Sequence, residues 1–270
     1  MAAMRIGFSK VDITPPIGTE LGGYAGYRPS SGVHDPLHCR AVLLEQDSLL
    51  YALVSLELMC VDEALYLRIA QAVQDLGITK ERLLVCAIHT HAAPRGSIPG
   101  EGPLDLVNNS GIEDVVGFTD YMFSVVAAAG TACREAARKQ LEEAMERWQQ
   151  ALQNGADAGT ARILKSYVEG AGVNLEFAHT LKGIRQLHLP VTAFRFCGLD
   201  FISVPGELFS SLQPQNVSII GYANGYYRYI SGKDAYEAGY YEAMAAIIAR
   251  GEGEKLVKEL LRLQQELDKM

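Results

Sequence analysis

Apolar positions near the start of the chain fall in short runs separated by turn residues. This spacing predicts strands over residues 5–12, 39–44, 49–58 and 83–88. Between the last two, residues 62–75 carry apolar positions at helical spacing and stop at Gly77, which predicts a helix. A loop rich in Gly, Pro and Asn follows, from 92 to about 111. Residues 114–153 read as one long helix, studded with Ala and Val near its start and with Glu, Lys and Arg near its end, stopping at Asn154-Gly155. Residues 161–176 alternate in a strand-like but ambiguous way. Strands return over 191–196, 200–204 and 217–222, and helices over about 234–250 and 254–269 close the chain. No low-complexity linker divides it, so residues 1–270 are expected to form a single domain.

One unit recurs in this pattern. Ala41–Glu45, a turn, Tyr51–Glu57, a helix and 83–89 make a hairpin, a helix and a strand. Residues 193–197, a Gly turn, 201–207, a short helix and 217–223 repeat that order. Each copy carries a glutamate shortly after a valine, Val54/Glu57 and Val204/Glu207. A repeat of this kind implies related sheets whose strand ends meet at one place. The expected fold is α/β, with two β-sheets packed face to face and helices flanking them, an αββα-like arrangement.

The strand over 83–88 runs directly into His89-Thr90-His91-Ala92-Ala93-Pro94. Side chains alternate along a strand, so His89 and His91 point to one face at a strand end. Two imidazoles placed so suit a metal ligand beside an acid/base group, or they simply terminate the strand. Glu207 closes Val204-Pro205-Gly206-Glu207, where a tight turn can push a carboxylate toward a cleft; a glutamate at a helix start fits the same pattern. The loop Tyr222-Ala223-Asn224-Gly225-Tyr226-Tyr227-Arg228-Tyr229 offers hydroxyl donors and stacking surface, or covers the core. Gly22-Gly23-Tyr24 lies in a flexible glycine-rich loop, and no P-loop or dinucleotide fingerprint is present.

Composition narrows the function classes. At 270 residues with 49% hydrophobic and 21% charged positions, the chain has ordinary globular usage. A net charge of -8 gives no electrostatic reason to bind nucleic acid or an anionic membrane. No apolar run is long enough to span a bilayer, and no signal region opens the sequence, so a cytoplasmic location is expected. Cys39, Cys60, Cys86, Cys133 and Cys197 are odd in number and irregularly spaced, which argues for buried thiols rather than disulfides. Cys86 lies close to His89, but its place in a strand reads as core filling. Nothing in the sequence fixes the oligomeric state.

Several motifs together resemble one family. Asp12-Ile13-Thr14-Pro15-Pro16 with Gly22-Gly23-Tyr24, then Gly32-Val33-His34-Asp35-Pro36-Leu37 before Arg40-Ala41, then Val54-Ser55-Leu56-Glu57, look like the opening of the neutral/alkaline non-lysosomal ceramidases. The stretch 89–94 is similar to that family's H-T-H-S-G-P zinc motif. Val204-Pro205-Gly206-Glu207, the loop 221–229, Ala235-Tyr236 and Tyr241-Glu242 resemble its later catalytic motifs, in the same order.

The resemblance implies roles for matching positions. It makes His89, Glu207 and Tyr229 ligands of a zinc ion and gives His91 a catalytic part at the tetrahedral intermediate. A further zinc histidine of the family has its local echo in Phe177-Ala178-His179-Thr180, which makes His179 the remaining ligand, although the family's proline is missing there. His188 sits in a strand-like lead-in that suits a structural role. The family's middle arginine motif has no clear counterpart, and the middle of the chain is short. Tyr24, Asn224 and Tyr226 are expected to line the substrate pocket. The function implied is zinc-dependent hydrolysis of an amide in a ceramide-like or smaller N-acyl substrate, by water activated on the metal. A binding protein that kept the fold and lost the metal site, and a metal-dependent ester or lactone hydrolase, are the alternatives.

Overall fold

The computed structural model describes residues 4–24, 28–94, 121–126, 134–180 and 186–269, with backbone alone for 121–126, 134–136 and 176–180. The expected loop over 92–111 lies outside the described residues beyond 94, as do Cys133 and the start of the expected 114–153 helix. The fold is mixed α/β, with several sheets and flanking helices, as the hydrophobic pattern predicts. Contacts group the chain into two compact units interleaved in sequence.

The first unit holds the hairpins and parallel strands of both copies of the repeat. Strands β1 (Arg5–Asp12), β2 (His38–Gln46), β3 (Leu49–Leu56) and β4 (Leu83–Ala87) form one sheet in that order. β1, β2 and β3 are antiparallel neighbours, and β4 joins β3 in parallel through α1 (Glu63–Val73). The β2–β3 hairpin turns on Asp47 and Ser48, both left-handed at φ 51° and 65°, the geometry of a type I′ turn. In the second copy, β7 (Ala193–Phe196) and β8 (Leu199–Ser203) pair antiparallel across Cys197 and Gly198, also left-handed at φ 50° and 77°. β10 (Ser218–Ile220) then joins β8 in parallel. The recurring order read from the sequence is thus a recurring topology, a hairpin followed by a parallel strand.

Alternation decides what each face does. Ala52, Val54 and Leu56 of β3 and Leu83, Val85 and Ala87 of β4 point to one side and pack with Val61, Tyr66, Ala70 and Ile78. Val61 and Val85 are fully buried. Each such side chain contributes about 1.5–3 kcal/mol, so this layer between sheet and α1 anchors the strand ends beyond it. On the opposite face Tyr51 and Leu53, with Phe194 and Phe196 of β7, line an apolar cavity of about 220 Å³. The two sheets therefore share a lining as well as a topology.

The second unit is more helical and departs further from the sequence reading. Residues 114–153 are not one helix: Tyr121–Val126 is a strand, β5, paired with β6 (Gln186–Val191), and helix α2 begins at Arg134 and ends at Gln153. An aromatic and β-branched run, Tyr-Met-Phe-Ser-Val-Val, explains the strand. The strand-like reading of 161–176 is also corrected, because Ala158–Thr180 is helix α3. Asp157 caps its start, accepting from the backbone N–H of Gly159 (2.8 Å) and Thr160 (3.0 Å). α2 and α3 pack on one another through a turn at Asn154-Gly155, with Asn174 Nδ2 donating to Gln140 Oε1 at 2.9 Å.

The expected helix over 234–250 breaks at Gly239, which sits at φ 66° between α4 (Lys233–Ala238) and α5 (Tyr241–Met244). Gly170 of α3 comes within 3.1 Å of Tyr241 and 3.2 Å of Met244, measured from the position its Cβ would take. The last helix, α6 (Glu252–Leu267), buries Leu256, Leu260 and Leu263 at helical spacing. His188 is exposed on β6. Among the described residues no helix is long and apolar enough to cross a membrane.

Two expectations about stability follow. Asp62 is buried and caps α1, accepting from Leu65 N–H at 2.8 Å. Asp62→Ala should cost about 1 kcal/mol, read as a lower urea midpoint with an unchanged slope. At the end of β3, Glu57 accepts from Arg40 and, at 2.7 Å, from the His38 backbone N–H; Arg40 above all holds its carboxyl below the ordinary value of 4.5. A carboxyl depressed in the folded state stabilises the fold above its unfolded pKa, and this is lost as pH falls through the folded value. The stability gap between wild type and Glu57→Gln should be largest near neutral pH and shrink below about pH 4. A gap that widens on acidification would contradict the assignment.

Candidate functional site

β4 ends at Ala87, and the chain turns sharply at His89, whose backbone is left-handed at φ 60°. A left-handed histidine is uncommon, and such residues persist where surrounding contacts fix them. Here those contacts are visible. His89 Nδ1 donates to the carbonyl oxygen of Met59 at 2.7 Å. Its ring lies on Tyr222, with centroids 4.0 Å apart and planes 12° from parallel. Because a carbonyl only accepts, the proton of His89 is on Nδ1 and Nε2 presents its lone pair.

His91 completes the pair. Its Nε2 lies 3.3 Å from His89 Nε2, with the rings nearly perpendicular at 81°. That separation is long for a hydrogen bond. The two ring edges face one point, which a cation, a water or a substrate oxygen could occupy. The chemistry of this pair fits zinc. Among the described residues, no three His, Cys, Asp or Glu side chains gather closely enough to hold a metal ion.

The glycine-rich loop near the start of the chain clamps His91. Gly22 N–H donates to Ala93 O at 2.8 Å, tying the loop to the histidine motif. Gly23, at φ 82°, packs its α-carbon against the His91 ring; a Cβ there would lie 2.3 Å from His91 Nδ1. Tyr24 then meets the same ring edge-on, with centroids 5.7 Å apart. Sequence reasoning singled out Tyr24 and passed over the two glycines as mere flexibility. The Gly-Gly pair was the available signal, since a close approach to a ring needs a residue without a side chain.

The other expected residues divide between the two units. In the first unit Tyr226 stands 6.1 Å from Tyr222 and 6.2 Å from His89, so Tyr24, Tyr222 and Tyr226 surround the pair. Tyr222 itself was missed as a contact of His89. Asn224 is 9% exposed and serves the backbone: its Oδ1 accepts from Val85 N–H and its N–H donates to Val85 O, both at 2.9 Å. Its amide oxygen is thus committed to β4, which differs from the substrate contact expected of it. In the second unit, Glu207 and Tyr229 are direct partners in a short parallel ladder of β9 (Glu207–Leu208) and β11 (Tyr229–Ile230). Partners in a ladder point to the same side, so carboxylate and phenol project together. His179 lies near the end of α3, and its side chain is outside the described residues. Cys86 carries a thiol pushed up by burial, the setting of an inert core cysteine rather than a nucleophile.

No family model and no curated protein matches the chain. Among solved structures it is similar to the neutral ceramidase from Pseudomonas aeruginosa, at 12% identity over 95% of this chain and 73% of that one, with a TM-score of 0.54. It is likewise similar to a ceramidase described as complexed with C2, at 11% identity over 98% of this chain and 76% of that one, with a TM-score of 0.56. At such identity the likeness shows a shared fold, in agreement with the family whose motifs the sequence resembles.

The clamp on His91 can be tested without any substrate. Gly23→Ala should shift the His91 ring resonances, because the new Cβ has no room. Gly18 provides the control: it is left-handed at φ 94° with nothing within 4 Å of its Cβ position. Gly18→Ala should show the same backbone strain and leave His91 unmoved; equal shifts in both variants would remove the clamp.

Proposed function

We propose that this protein is a zinc-dependent hydrolase of the ceramidase type, cleaving the amide of an N-acylated substrate. The observation that carries the reading is the histidine pair: His89 fixed through Nδ1 by Met59 O, which leaves its Nε2 lone pair for a metal, with the His91 ring beside it at an Nε2–Nε2 separation of 3.3 Å. The shared fold with neutral ceramidases supports the reaction class.

The roles divide by what each side chain can do. His89 would hold the zinc through Nε2, and Tyr222 stacked on its ring keeps the ring plane fixed. Glu207 and Tyr229 are the further ligands that the motif resemblance assigns, with His179 as the last. When bound, zinc polarises the amide carbonyl and brings the pKa of a coordinated water to about 7. His91 Nε2–H donates to the developing oxyanion or to the leaving amine, and Gly23 and Tyr24 hold the ring at the angle this needs. Tyr24 and Tyr226 wall the reacting group and give it stacking surface. Water adds across the C–N bond, releasing a carboxylic acid and an amine.

Metal content and turnover test the assignments separately. His89→Ala should lose stoichiometric zinc together with all amide hydrolysis. His91→Ala should keep zinc and lose about 10²–10⁴ in turnover. Loss of zinc from His91→Ala would make it a ligand rather than a donor. Glu207→Gln and Tyr229→Phe should each lower zinc affinity; wild-type zinc content in either removes it from the ligand set. A wild-type protein that takes up no zinc from a chelator-free solution and hydrolyses no N-acyl amide would overturn the hydrolase reading in favour of a binding protein.

A further inference from the structure

We propose that the histidine site takes a small amide bearing a carboxylate, such as an N-acyl amino acid, and that Arg28 is the residue that recognises the charge. For the reaction this rests on the hydrolase reading above; for binding it stands on its own. The Arg28 guanidinium lies over the ring of Tyr24, 4.1 Å from its centroid, and the same ring meets His91 at 5.7 Å. These contacts keep the guanidinium within about 10 Å of the His91 ring. A substrate whose scissile carbonyl is a few bonds from a carboxylate spans such a gap.

The charge balance around Arg28 singles it out. It lines a cleft of about 750 Å³, within the range of small-molecule sites, that also reaches Thr90 and Ala92 on either side of His91. The other guanidinium in that cleft, Arg40, is paired with Glu57, and His34 is paired with Asp35. Arg28 makes no ion pair with a carboxylate among the described residues, and Glu20, bridged to Pro29 through the backbone, makes none with it either. Among the described residues Arg28 is therefore the guanidinium of this cleft without a carboxylate partner, and its planar fork is the shape that receives a carboxylate through two parallel hydrogen bonds. Held flat by Tyr24, that fork is already oriented.

The cleft wall is mixed. Thr14, Ser30, Ser31, His34 and Thr90 offer hydrogen bonds, while Leu21, Val33, Leu37 and Ile88 give a short acyl chain apolar contact. A second, more apolar cavity of the same unit is lined by Tyr51, Leu53 and Leu83 at the starts of β3 and β4. At about 3.3 Å per residue, that end of β4 is roughly 17–20 Å from His89. Arg28 lies at the histidine end of the strand, so a carboxylate bound there stays with the mixed cleft.

The test compares two amides of one shape. N-hexanoylglycine carries the carboxylate, and N-isobutylhexanamide replaces it with an uncharged group of like size. Calorimetric binding to the protein, with and without added zinc, should favour N-hexanoylglycine at least tenfold. Arg28→Gln should weaken N-hexanoylglycine by about 10- to 100-fold, the range of a lost charge-assisted pair, and leave N-isobutylhexanamide unchanged. Arg28→Lys should fall between, since it keeps the charge and loses the fork. In hydrolysis, read as released glycine, Arg28→Gln should raise KM with kcat unaltered. Equal affinity of the wild type for both amides, no binding of either, or no effect of Arg28→Gln overturns the inference. Arg28-dependent binding without glycine release leaves it standing and overturns the hydrolase reading. Equal cleavage of both amides by wild type and Arg28→Gln does the reverse.

Discussion

The outer edge of β4 is the constraint on which the rest of the first unit depends. A strand at the end of a sheet presents unpaired N–H and C=O groups, and β4 is too buried to leave them to water. Residues 222–224 satisfy them. Tyr222 O accepts from Ala87 N–H at 3.3 Å, and Asn224 embraces Val85 from both sides at 2.9 Å. The same segment is bonded on its far side to the second copy of the repeat, where Ala223 N–H donates to Val204 O at 3.1 Å. One short extended piece thus joins two sheets edge to edge. By the same stroke it lays the Tyr222 ring on His89. The candidate site is what this seam looks like at its end.

The repeat brings two bends of the chain to the end of the seam. His89 comes two residues after the end of β4, and Tyr222 two residues after the end of β10. Both are left-handed, at φ 60° and φ 54°, so the chain bends the same way just past each strand. An imidazole and a phenol meet there in a stack. One supplies nitrogen donor atoms, and the other holds the plane and contributes a hydroxyl.

Much of this was legible in the sequence, for reasons that can be named. Strands β1 to β4, β7, β8 and β10, the turns at Asp47-Ser48 and Cys197-Gly198, and α1 follow from local patterns that need no distant partner. The place of His89 and His91 at a strand end and of Tyr24 in a Gly-Gly-Tyr loop are short-range signals of the same kind. Helix α3 was misread because its apolar positions are sparse and glycine-rich, so helical and strand-like spacing compete. What decides for the helix is the Asp157 cap, which lies four residues before that stretch begins. The break at Gly239 was missed for the opposite reason, since a strong helical pattern continues across it. The bonds of Asn224 to Val85 have no mark in the sequence, because nothing there says that β4 lacks a neighbour. Gly23 was invisible as a functional residue because its contribution is the absence of a side chain where the His91 ring must lie. Long-range needs of this sort, an edge to be paired or a ring to be approached, are set by the fold and leave only weak local marks.

The backbone at His89 bears on what the histidine is for. A non-glycine residue at positive φ carries strain of about 1–2 kcal/mol, and a histidine that merely closed a strand could relax into the extended region. Here the strain is offset by the hydrogen bond to Met59 O and by the stack on Tyr222, each worth about a kcal/mol. The bond to Met59 also chooses the tautomer, and the stack chooses the ring plane. A core histidine needs a partner for each nitrogen but has no need to aim one of them. At His89 the surroundings aim Nε2 at the edge of a second imidazole, and the loop of Gly22, Gly23 and Tyr24 aims that second ring in return. Convergent orientation of two nitrogens by separate elements is a costly arrangement for a structural purpose. It is the arrangement a site needs when a small ion or a reacting oxygen must sit between them.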